Sequence, residues 1–420
     1  MREEFLHFVW KHKLFNGRYL STSGNKPISI INSGTHNFSS GPDFSDARIN
    51  IDQTEWAGSV EIHLKSSDWL LHGHQDDEAY DNVVLHVVYE HDREIQNRFG
   101  ELLPTLEMKG LIPLHYLNNY ERLKQTKNSI PCSEQIEQVN RITMRSWFDR
   151  VLIERLERKA GDVSLIHQHC DGNWLETYFV LLAAYLGQNT NKLPMTELAR
   201  KCSLKILGKQ NEFFQRAALL LGVGGFLASP QNEEARRLNS EYLFKKEKHQ
   251  LSEVTQRRKT GRVRPQNQPQ RRVVQLAAMI PEIPNVLEKL FAGQSSDWHN
   301  RKLITDDFWL HHYGLNVPSE KQLSVQLSKQ MATLLIINVD VPFIFYYGQM
   351  TGDQELKNRA VDMLSQVDYE GNSLVKAWKK ELPWLNTAAD SQSALELQTS
   401  YCNHKKCVLC NIGKAIITNL

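Results

Sequence analysis

Residues able to bind a metal and move a proton recur at two-residue spacing in Gly58-Ser59-Val60-Glu61-Ile62-His63-Leu64-Lys65. Successive side chains of a strand point to opposite faces, so Glu61, His63 and Lys65 share one face and the apolar residues between them face a core. Asp43, after the Gly41-Pro42 turn, adds a second carboxylate. Two carboxylates suit a hard cation such as Mg²⁺, and either His63 or Lys65 can activate water. The pattern predicts Mg²⁺-dependent phosphodiester cleavage, with Asp43 and Glu61 as metal ligands.

These residues resemble the PD-(D/E)XK nuclease superfamily over roughly the first quarter of the chain. Pro42-Asp43 matches its PD element, and Glu61-Ile62-His63 stands where Glu-x-Lys is usual, so His63 replaces the expected lysine. The resemblance implies a core of helix, three strands, helix and strand, and a further acidic residue on the first helix, for which Glu3 and Glu4 are candidates.

The whole chain also resembles an uncharacterised bacterial family known as domain of unknown function 2851. The resembling pieces are Gly41-Pro42-Asp43-Phe44, Val60-Glu61-Ile62-His63, Ser67-Asp68-Trp69, His72-Gly73-His74, Arg264-Pro265-Gln266-Asn267 and the segment from Tyr401-Cys402 to Gly413. This resemblance implies no particular activity.

Two other interpretations of the same stretch remain open. In one, His72, His74 and His86 join His63 in binding a transition metal such as Zn²⁺, although no His-Glu-x-x-His spacing supports this. In the other, Asp43 only caps a turn, Glu61 is an exposed strand residue, and His86 is a hydrogen-bonded core histidine.

Composition restricts the class of protein without selecting a partner. The chain has 420 residues, of which 41% are hydrophobic, so it can bury a large core. The 50 Lys and Arg residues nearly balance the 48 Asp and Glu residues, which neither requires nor excludes nucleic acid. No stretch approaches the roughly 18 apolar residues that span a bilayer, so we expect a cytoplasmic protein without a membrane partner.

Hydrophobic periodicity predicts an α+β protein. A helix is expected over residues 5–15, ended by Asn16-Gly17, followed by strands over 28–31, 47–52, 59–65 and 83–89. Longer helical patterns follow from about residue 133. We predict an N-terminal nuclease-like mixed sheet with flanking helices over 1–127, a mainly helical domain over 128–400 and a cysteine-rich metal-binding segment over 401–420. The apolar run 334–347 fits a strand or a buried helix, broken by Pro342 in either case.

Charge is concentrated in one segment of the helical region. Residues 245–272 contain ten Lys or Arg residues and two Glu residues, and the prolines and Gly261 favour a loop. Such a basic loop predicts salt-sensitive contact with nucleic-acid phosphates, and the alternative is a solvated loop. The candidate contacts are Arg257, Arg258, Lys259, Arg262, Arg264, Arg271 and Arg272.

Three cysteines close the sequence in a C-x₄-C-x₂-C array: Cys402, Cys407 and Cys410. Their spacing predicts binding of Zn²⁺ or an iron–sulfur cluster such as [4Fe-4S], with either His404 or Cys132 as the fourth ligand. With Cys132, the array resembles the iron–sulfur nucleases related to RecB, which have one early cysteine and three late ones at a different late spacing.

Together these patterns predict a metal-dependent nuclease-like protein. Asp43 and Glu61 hold Mg²⁺, His63 or Lys65 activates water, and the basic loop contacts the nucleic-acid backbone. The competing interpretation is a nucleic-acid-binding or scaffold protein that retains the fold and the cysteine site without catalysis.

Overall fold

The computed structural model describes residues 1–261 and 263–419. The chain forms two compact units, one of Met1–Trp147 together with the chain from Leu397 onward, and one of Phe148–Glu396. The first contains a mixed sheet and the second is mainly helical. The prediction of an α+β fold is confirmed.

The strands are β1 (Leu20–Ser21), β2 (Pro27–Asn32), β3 (Thr35–His36), β4 (Phe44–Ile51), β5 (Thr54–Lys65), β6 (Val83–Glu90), β7 (Thr105–Glu107), β8 (His312–Gly314) and β9 (Val317–Pro318). The helices are α1 (Glu3–Lys11), α2 (Asp68–Leu71), α3 (Leu114–Gln125), α4 (Arg141–His169), α5 (Trp174–Leu186), α6 (Gln188–Lys201), α7 (Leu204–Leu207), α8 (Phe213–Val223), α9 (Glu233–His249), α10 (Pro269–Met279), α11 (Ile283–Phe291), α12 (Lys329–Leu335), α13 (Val341–Thr351), α14 (Gln354–Ser365), α15 (Ser373–Glu381), α16 (Ala388–Glu396) and α17 (Asn411–Thr418). Two π-helical turns lie at Ile336–Asp340 and Leu397–Cys402.

The sheet of the first unit changes direction of pairing at β5. Strands β1, β2, β4 and β5 pair antiparallel in that order, β3 pairs with β4, and β5, β6 and β7 run parallel. Val60 and Ile62 on one face of β5 are fully buried, as the alternating pattern predicts. Glu61 and His63 on the other face are also buried, at 5% and 1% exposure. A polar pair is therefore enclosed in the middle of the sheet.

Helix α1 covers β5 with an apolar surface. Its buried residues are Phe5, Leu6, Phe8, Val9 and Trp10. The helix ends at Lys11, earlier than the predicted Asn16-Gly17, because Lys13 adopts a φ of 51°, which a right-handed helix does not accommodate. Residues 12–15, which the hydrophobic pattern places in the helix, do not have helical backbone.

The C-terminal segment packs against α3 within the same unit. Lys405 donates from Nζ to the carbonyls of Lys124 at 2.5 Å and Thr126 at 2.6 Å, and Asn119 donates to the carbonyl of Ile416 at 3.1 Å. These bonds hold the C-terminal segment against α3 and the residues that follow it. The predicted segment 401–420 is thus part of the unit that contains the sheet.

The second unit is built on a large apolar core. Its largest fully buried side chains include Trp298, Trp309, Phe179 and Phe343. The ambiguous apolar run 334–347 is helical, and Pro342 lies at the start of α13 directly after a π-helical turn, so the helix continues past it. The segment Lys329–Thr351 has the length and composition to cross a membrane, and 72% of its most apolar window is buried within the protein.

Candidate functional site

The two predicted carboxylates lie beside each other at the junction of β4 and β5. The amide of Asp43 donates to Oε2 of Glu61 at 3.0 Å, and the amide of Ile62 donates to Oδ2 of Asp43 at 3.0 Å. The strands pair Phe44 with Val60, which places each carboxylate opposite the other strand's backbone. This reciprocal pairing fixes both groups, and leaves Oε1 of Glu61 directed toward the histidines.

Three histidines from two elements converge next to Glu61. A ring nitrogen from each of His63, His72 and His74 lies within 4.8 Å of the others. His63 is on β5, and the other two follow helix α2, separated by Gly73. The φ of Gly73 is +76°, a left-handed conformation that glycine adopts without strain and that turns the chain between the two imidazoles.

The three imidazole nitrogens lie close enough together to bind one ion, and Glu61 lies beside two of them. Nε2 of His63 is 3.1 Å from Nδ1 of His72, and Oε1 of Glu61 is 3.4 Å from Nε2 of His74 and 3.6 Å from Nε2 of His63. Neighbouring ligands with metal bonds of about 2.1 Å lie about 3.0–3.4 Å apart in octahedral or tetrahedral sites. Nε2 of His74 is buried without a hydrogen-bond partner in the described chain. We call Glu61, His63, His72 and His74 the histidine–carboxylate cluster.

Burial sets the protonation of this cluster. It lowers the pKa of His63 to about 3, with further lowering from His74 and His72, and it also lowers the pKa of His74. The same burial, with the nearby charge of Asp43, raises the pKa of Glu61 to about 8. The imidazoles of His63 and His74 are therefore neutral and have lone pairs available, and no positive charge lies close enough to Glu61 to favour its ionised form.

Groups behind the cluster hold its rings in place. Nε2 of His86 is 2.9 Å from Nδ1 of His63, and His86 is fully buried on β6. A histidine ligand commonly uses its second nitrogen in this way, which fixes the tautomer and ring orientation. Tyr80 stacks on His74 at a centroid distance of 3.8 Å, and the buried Trp69 packs against both His74 and His86. His72 is exposed and gives the cluster a side that faces solvent.

Helix α1 contributes a group that sequence reasoning missed. Nε2 of His7 lies 3.2 Å from Oδ2 of Asp43. Glu3, one turn earlier, is on the same side, since His7, Asp43 and His72 all influence its pKa, which burial raises. Glu4 instead accepts hydrogen bonds from Tyr120 at 2.8 Å and from Lys124. Of the two acidic residues proposed for this helix, Glu3 is the one near the cluster, and the i, i+4 spacing of Glu3 and His7 was the available signal.

Lys65 stands apart from the cluster at the end of β5. Its side chain is exposed and forms no hydrogen bond or ion pair with any residue the structure describes, and its amide donates to Asp68 at 2.9 Å. Among the basic residues considered, His63 is therefore the one positioned beside Glu61.

The four cysteines Cys132, Cys402, Cys407 and Cys410 line one small cavity of about 20 Å³ in the first unit. Burial raises the pKa of the Cys132 thiol, and the other three thiols raise it further, which shows their proximity. The exposed His404 does not line this cavity. The structure therefore assembles Cys132, and not His404, with the C-terminal array.

Main chain of the C-terminal segment closes in on the cysteine array. Gly413 sits against the array, since a Cβ there would lie 2.3 Å from the carbonyl oxygen of Cys407.

The basic segment divides into exposed and buried parts. Arg257, Lys259 and Arg264 are exposed, whereas Arg258 is half-buried over the ring of Phe226 at 4.3 Å. Arg262 lies outside the described residues.

Arg271 and Arg272, on helix α10, are only 3% and 8% exposed. Arg271 donates to the carbonyls of Trp309 at 2.6 Å and Ser324 at 2.7 Å. Both residues are buried on a helix and do not belong to a loop. Their placement therefore does not support the expected contact with a nucleic-acid backbone. The helical periodicity of Val273, Val274 and Leu276 could have shown that α10 is a core helix.

An α+β fold with a histidine–carboxylate cluster beside Asp43 places the chain among candidate metal-binding proteins. The chain belongs to the family described as protein of unknown function (DUF2851), whose sequence model matches residues 3–373. Comparison with curated proteins and with solved structures gives no match.

Proposed function

We propose that the first unit is a metal-dependent hydrolase of phosphodiester bonds in nucleic acid. The observation that carries this proposal is that ring nitrogens of His63, His72 and His74 lie within 4.8 Å of one another, with Oε1 of Glu61 within 3.4–3.6 Å of two of these rings. The adjacent Asp43 and His7 give the site acid–base groups besides its ligands. The resemblance of Pro42-Asp43 and Glu61-Ile62-His63 to the PD-(D/E)XK pattern supports the choice of a nucleic-acid substrate.

The ligand set favours a transition metal over Mg²⁺. Imidazole nitrogens suit Zn²⁺, Fe²⁺ or Mn²⁺, whereas Mg²⁺ prefers oxygen ligands and retains water. We therefore assign His63, His72, His74 and Glu61 as the residues that hold a transition metal, with Asp43 beside them. Mg²⁺ bound by Asp43 and Glu61 is the alternative that the metal comparison below tests.

The chain's own groups would divide the remaining work. A bound divalent metal supplies Lewis acidity and a lower pKa for coordinated water. Asp43, fixed by the Ile62 amide, orients the imidazole of His7, which is placed to accept a proton near the cluster. By accepting a hydrogen bond from Nδ1 of His63, His86 would hold His63 in the tautomer that leaves the lone pair on Nε2 for a metal. The exposed Arg257, Lys259 and Arg264 are candidate phosphate contacts.

The direct test joins metal analysis to cleavage. Purified protein is assayed on labelled single- and double-stranded DNA and RNA with Mn²⁺, Zn²⁺ or Mg²⁺, beside Asp43→Ala and Glu61→Ala. Glu55→Gln is the matched control, since Glu55 lies on β5 and is exposed. We expect cleavage with a transition metal that Glu61→Ala abolishes and Glu55→Gln retains. Cleavage that survives both alanine substitutions would reject the site.

A second candidate function is favoured by the enclosure of the cluster. Glu61 and His63 are almost fully buried, which suits a structural ion as well as a catalytic one. The protein would then bind nucleic acid or serve as a scaffold without cleaving. Retained metal and nucleic-acid binding in protein that cleaves none of the substrates would select this function.

For the cysteine site we propose an iron–sulfur cluster such as [4Fe-4S] held by Cys132, Cys402, Cys407 and Cys410. The assembly of one early and three late cysteines around one cavity supports a bound metal, and the resemblance to the iron–sulfur nucleases related to RecB supports the cluster over a single Zn²⁺. Anaerobically purified protein should absorb visible light and contain iron and sulfide. Colourless protein with stoichiometric zinc would select the zinc alternative. A cytoplasmic location and the absence of a membrane partner stay predictions.

A further inference from the structure

The second unit contains a polar cavity with an excess of positive charge. Its volume is about 940 Å³, within the roughly 300–1,000 Å³ usual for small-molecule sites. Arg264, Arg271 and Arg272 line it, and its described lining contains no Asp, Glu or Lys side chain. We call this the arginine cavity. Its three guanidinium groups give a formal charge of +3 with no acidic residue in the lining to balance it.

Arg272 shows that this charge is uncompensated. Although it is only 8% exposed, it donates to neutral partners, to Oε1 of Gln275 at 2.7 Å and to Oδ1 of Asn267 at 2.5 Å. Its Nε is buried and has no hydrogen-bond partner in the described chain. Burial, with the neighbouring charge of Arg271, lowers its pKa to about 10. A buried guanidinium that lacks a carboxylate costs stability, which an anionic ligand would offset.

Other groups in the lining suit a ligand larger than a single anion. Gln188, Gln266 and Gln330 face the cavity, and their side-chain amides form no hydrogen bond within the described part of the chain. Each offers two donors and an acceptor. Tyr313 adds an aromatic ring to the same lining. These groups can recognise the polar edges and hydroxyls of a nucleoside, while the guanidinium groups bind phosphate.

We propose that the arginine cavity binds a nucleotide, with Arg272 and Arg264 contacting its phosphates. A nucleoside mono- or diphosphate carries two or three negative charges, which match the formal charge of the lining better than a single carboxylate does. The site belongs to the helical unit and does not depend on the metal site of the first unit. Arg271 already donates to main-chain carbonyls. It adds positive charge to the cavity and does not need to contact the ligand.

The test uses the full-length protein and thermal unfolding with nucleoside mono-, di- and triphosphates, inorganic phosphate, pyrophosphate and a short oligonucleotide as probes. Isothermal titration then measures affinity. Arg272→Met removes the charge while keeping a long side chain. Because the native guanidinium has no counter-ion, we expect the ligand-free variant to unfold at the same or a higher temperature than the wild type, and to bind nucleotide at least tenfold more weakly.

Two further variants keep the test decisive. Arg264→Ala changes an exposed residue of the lining and should weaken binding severalfold even if Arg272→Met does not fold. Arg236→Ala changes an exposed arginine of the same unit outside the lining, and should leave nucleotide binding unchanged. An effect of Arg236→Ala equal to that of Arg264→Ala would show general attraction of anions and reject the cavity.

Three results would overturn the proposal. No thermal shift with any phosphate probe would show that the cavity takes no such ligand. A lower unfolding temperature for Arg272→Met with unchanged nucleotide affinity would show that the arginine is purely structural. Stabilisation by the oligonucleotide but by no mononucleotide would assign the surface to a nucleic-acid strand.

Discussion

The histidine–carboxylate cluster of the first unit and the arginine cavity of the second have opposite charge requirements. In the cluster, burial lowers the pKa of His63 and His74 and raises the pKa of Glu61 to about 8, so the site has lone pairs and lacks a cation. In the cavity, Arg272 remains a buried cation bonded only to neutral amides, so the site lacks an anion. The cluster is therefore suited to a cation, and the arginine cavity is suited to an anion.

The two sites also differ in how they are built. The cluster sits on the central strand of a sheet, where β6 pairs with Glu61 and His63 and β4 pairs with the strand as far as Val60. The cavity lies among helices and the loops that connect them, and Arg272 is held by Gln275 on its own helix. A rigid strand suits the strict geometry of metal ligation. Looser walls suit a ligand with several rotatable bonds, and substitutions should therefore have larger effects in the cluster than in the cavity.

The largest effect is expected from removing two metal ligands. His63→Ala combined with His74→Ala should lower transition-metal affinity by at least about 100-fold and abolish cleavage, because two of four ligand positions are lost. Metal content after dialysis and cleavage rate measure both effects. His91→Ala is the control, since its ring is outside the cluster. Full metal content in the double variant would show that the ion binds elsewhere.

A smaller effect is expected for His86, which contacts the ligand His63 and does not itself belong to the cluster. His86→Leu removes the partner of Nδ1 of His63 and should weaken metal binding by about 10–100-fold. His86→Gln restores an acceptor at the same place and should recover much of the loss. Titration with a chelator in competition gives both affinities. Equal losses in the two variants would mean that His86 acts through packing alone.

The raised pKa of Glu61 makes metal binding dependent on pH. Below pH about 8 the metal-free carboxyl holds a proton, which must leave when the carboxylate binds a cation. Affinity should therefore rise with pH by about tenfold per unit up to that value and then level off. Calorimetry in buffers with different ionisation enthalpies counts the released proton. Glu61→Gln should bind more weakly and without this slope, and a slope that persists in Glu61→Gln would assign the proton to another group.

Much of the first unit was predictable because apolar and polar residues alternate along its strands at the two-residue spacing of a β-strand. The strands around Ile28, Ile49, Val60 and Val87 lie where alternation predicts them. The pairing of Asp43 with Glu61 was also predicted, and the structure brings them into contact. The sequence could not show how deeply the polar face of β5 is buried. Alternation places Glu61 and His63 on one face, but whether that face meets solvent depends on the loop of His72 and His74 folding back over it.

The rest required tertiary contacts. Nothing local in Glu3-Glu4-Phe5-Leu6-His7 decides which polar residue faces Asp43, and the helix orientation on β5 selects Glu3 and His7. The basic segment 245–272 predicted a solvated loop to its end, whereas Pro269 begins a core helix that buries Arg271 and Arg272. Composition counts charges, but it does not show which of them the fold encloses.

The smallest effect concerns a buried carboxyl in the core of the second unit. Asp340 is fully buried and accepts a hydrogen bond from Tyr178 at 2.7 Å, and burial raises its pKa to about 6. The folded protein therefore keeps this proton between pH about 4 and 6, where the unfolded chain has lost it. The resulting stability is present below pH about 4 and is lost as pH rises through about 6.

Asp340→Asn cannot lose a proton and can still accept from Tyr178. Relative to the wild type, its free energy of unfolding should increase by on the order of 1–3 kcal/mol as pH rises from 4 to 8, since each unit of pKa shift corresponds to about 1.4 kcal/mol. Urea unfolding at pH 4, 6 and 8 measures this difference. Asp307→Asn, at a carboxylate whose side chain is 89% exposed, should show none of it. A gain equal at all three pH values would mean that the pKa of Asp340 is the same in the folded and unfolded states, and would reject the raised pKa of this carboxyl.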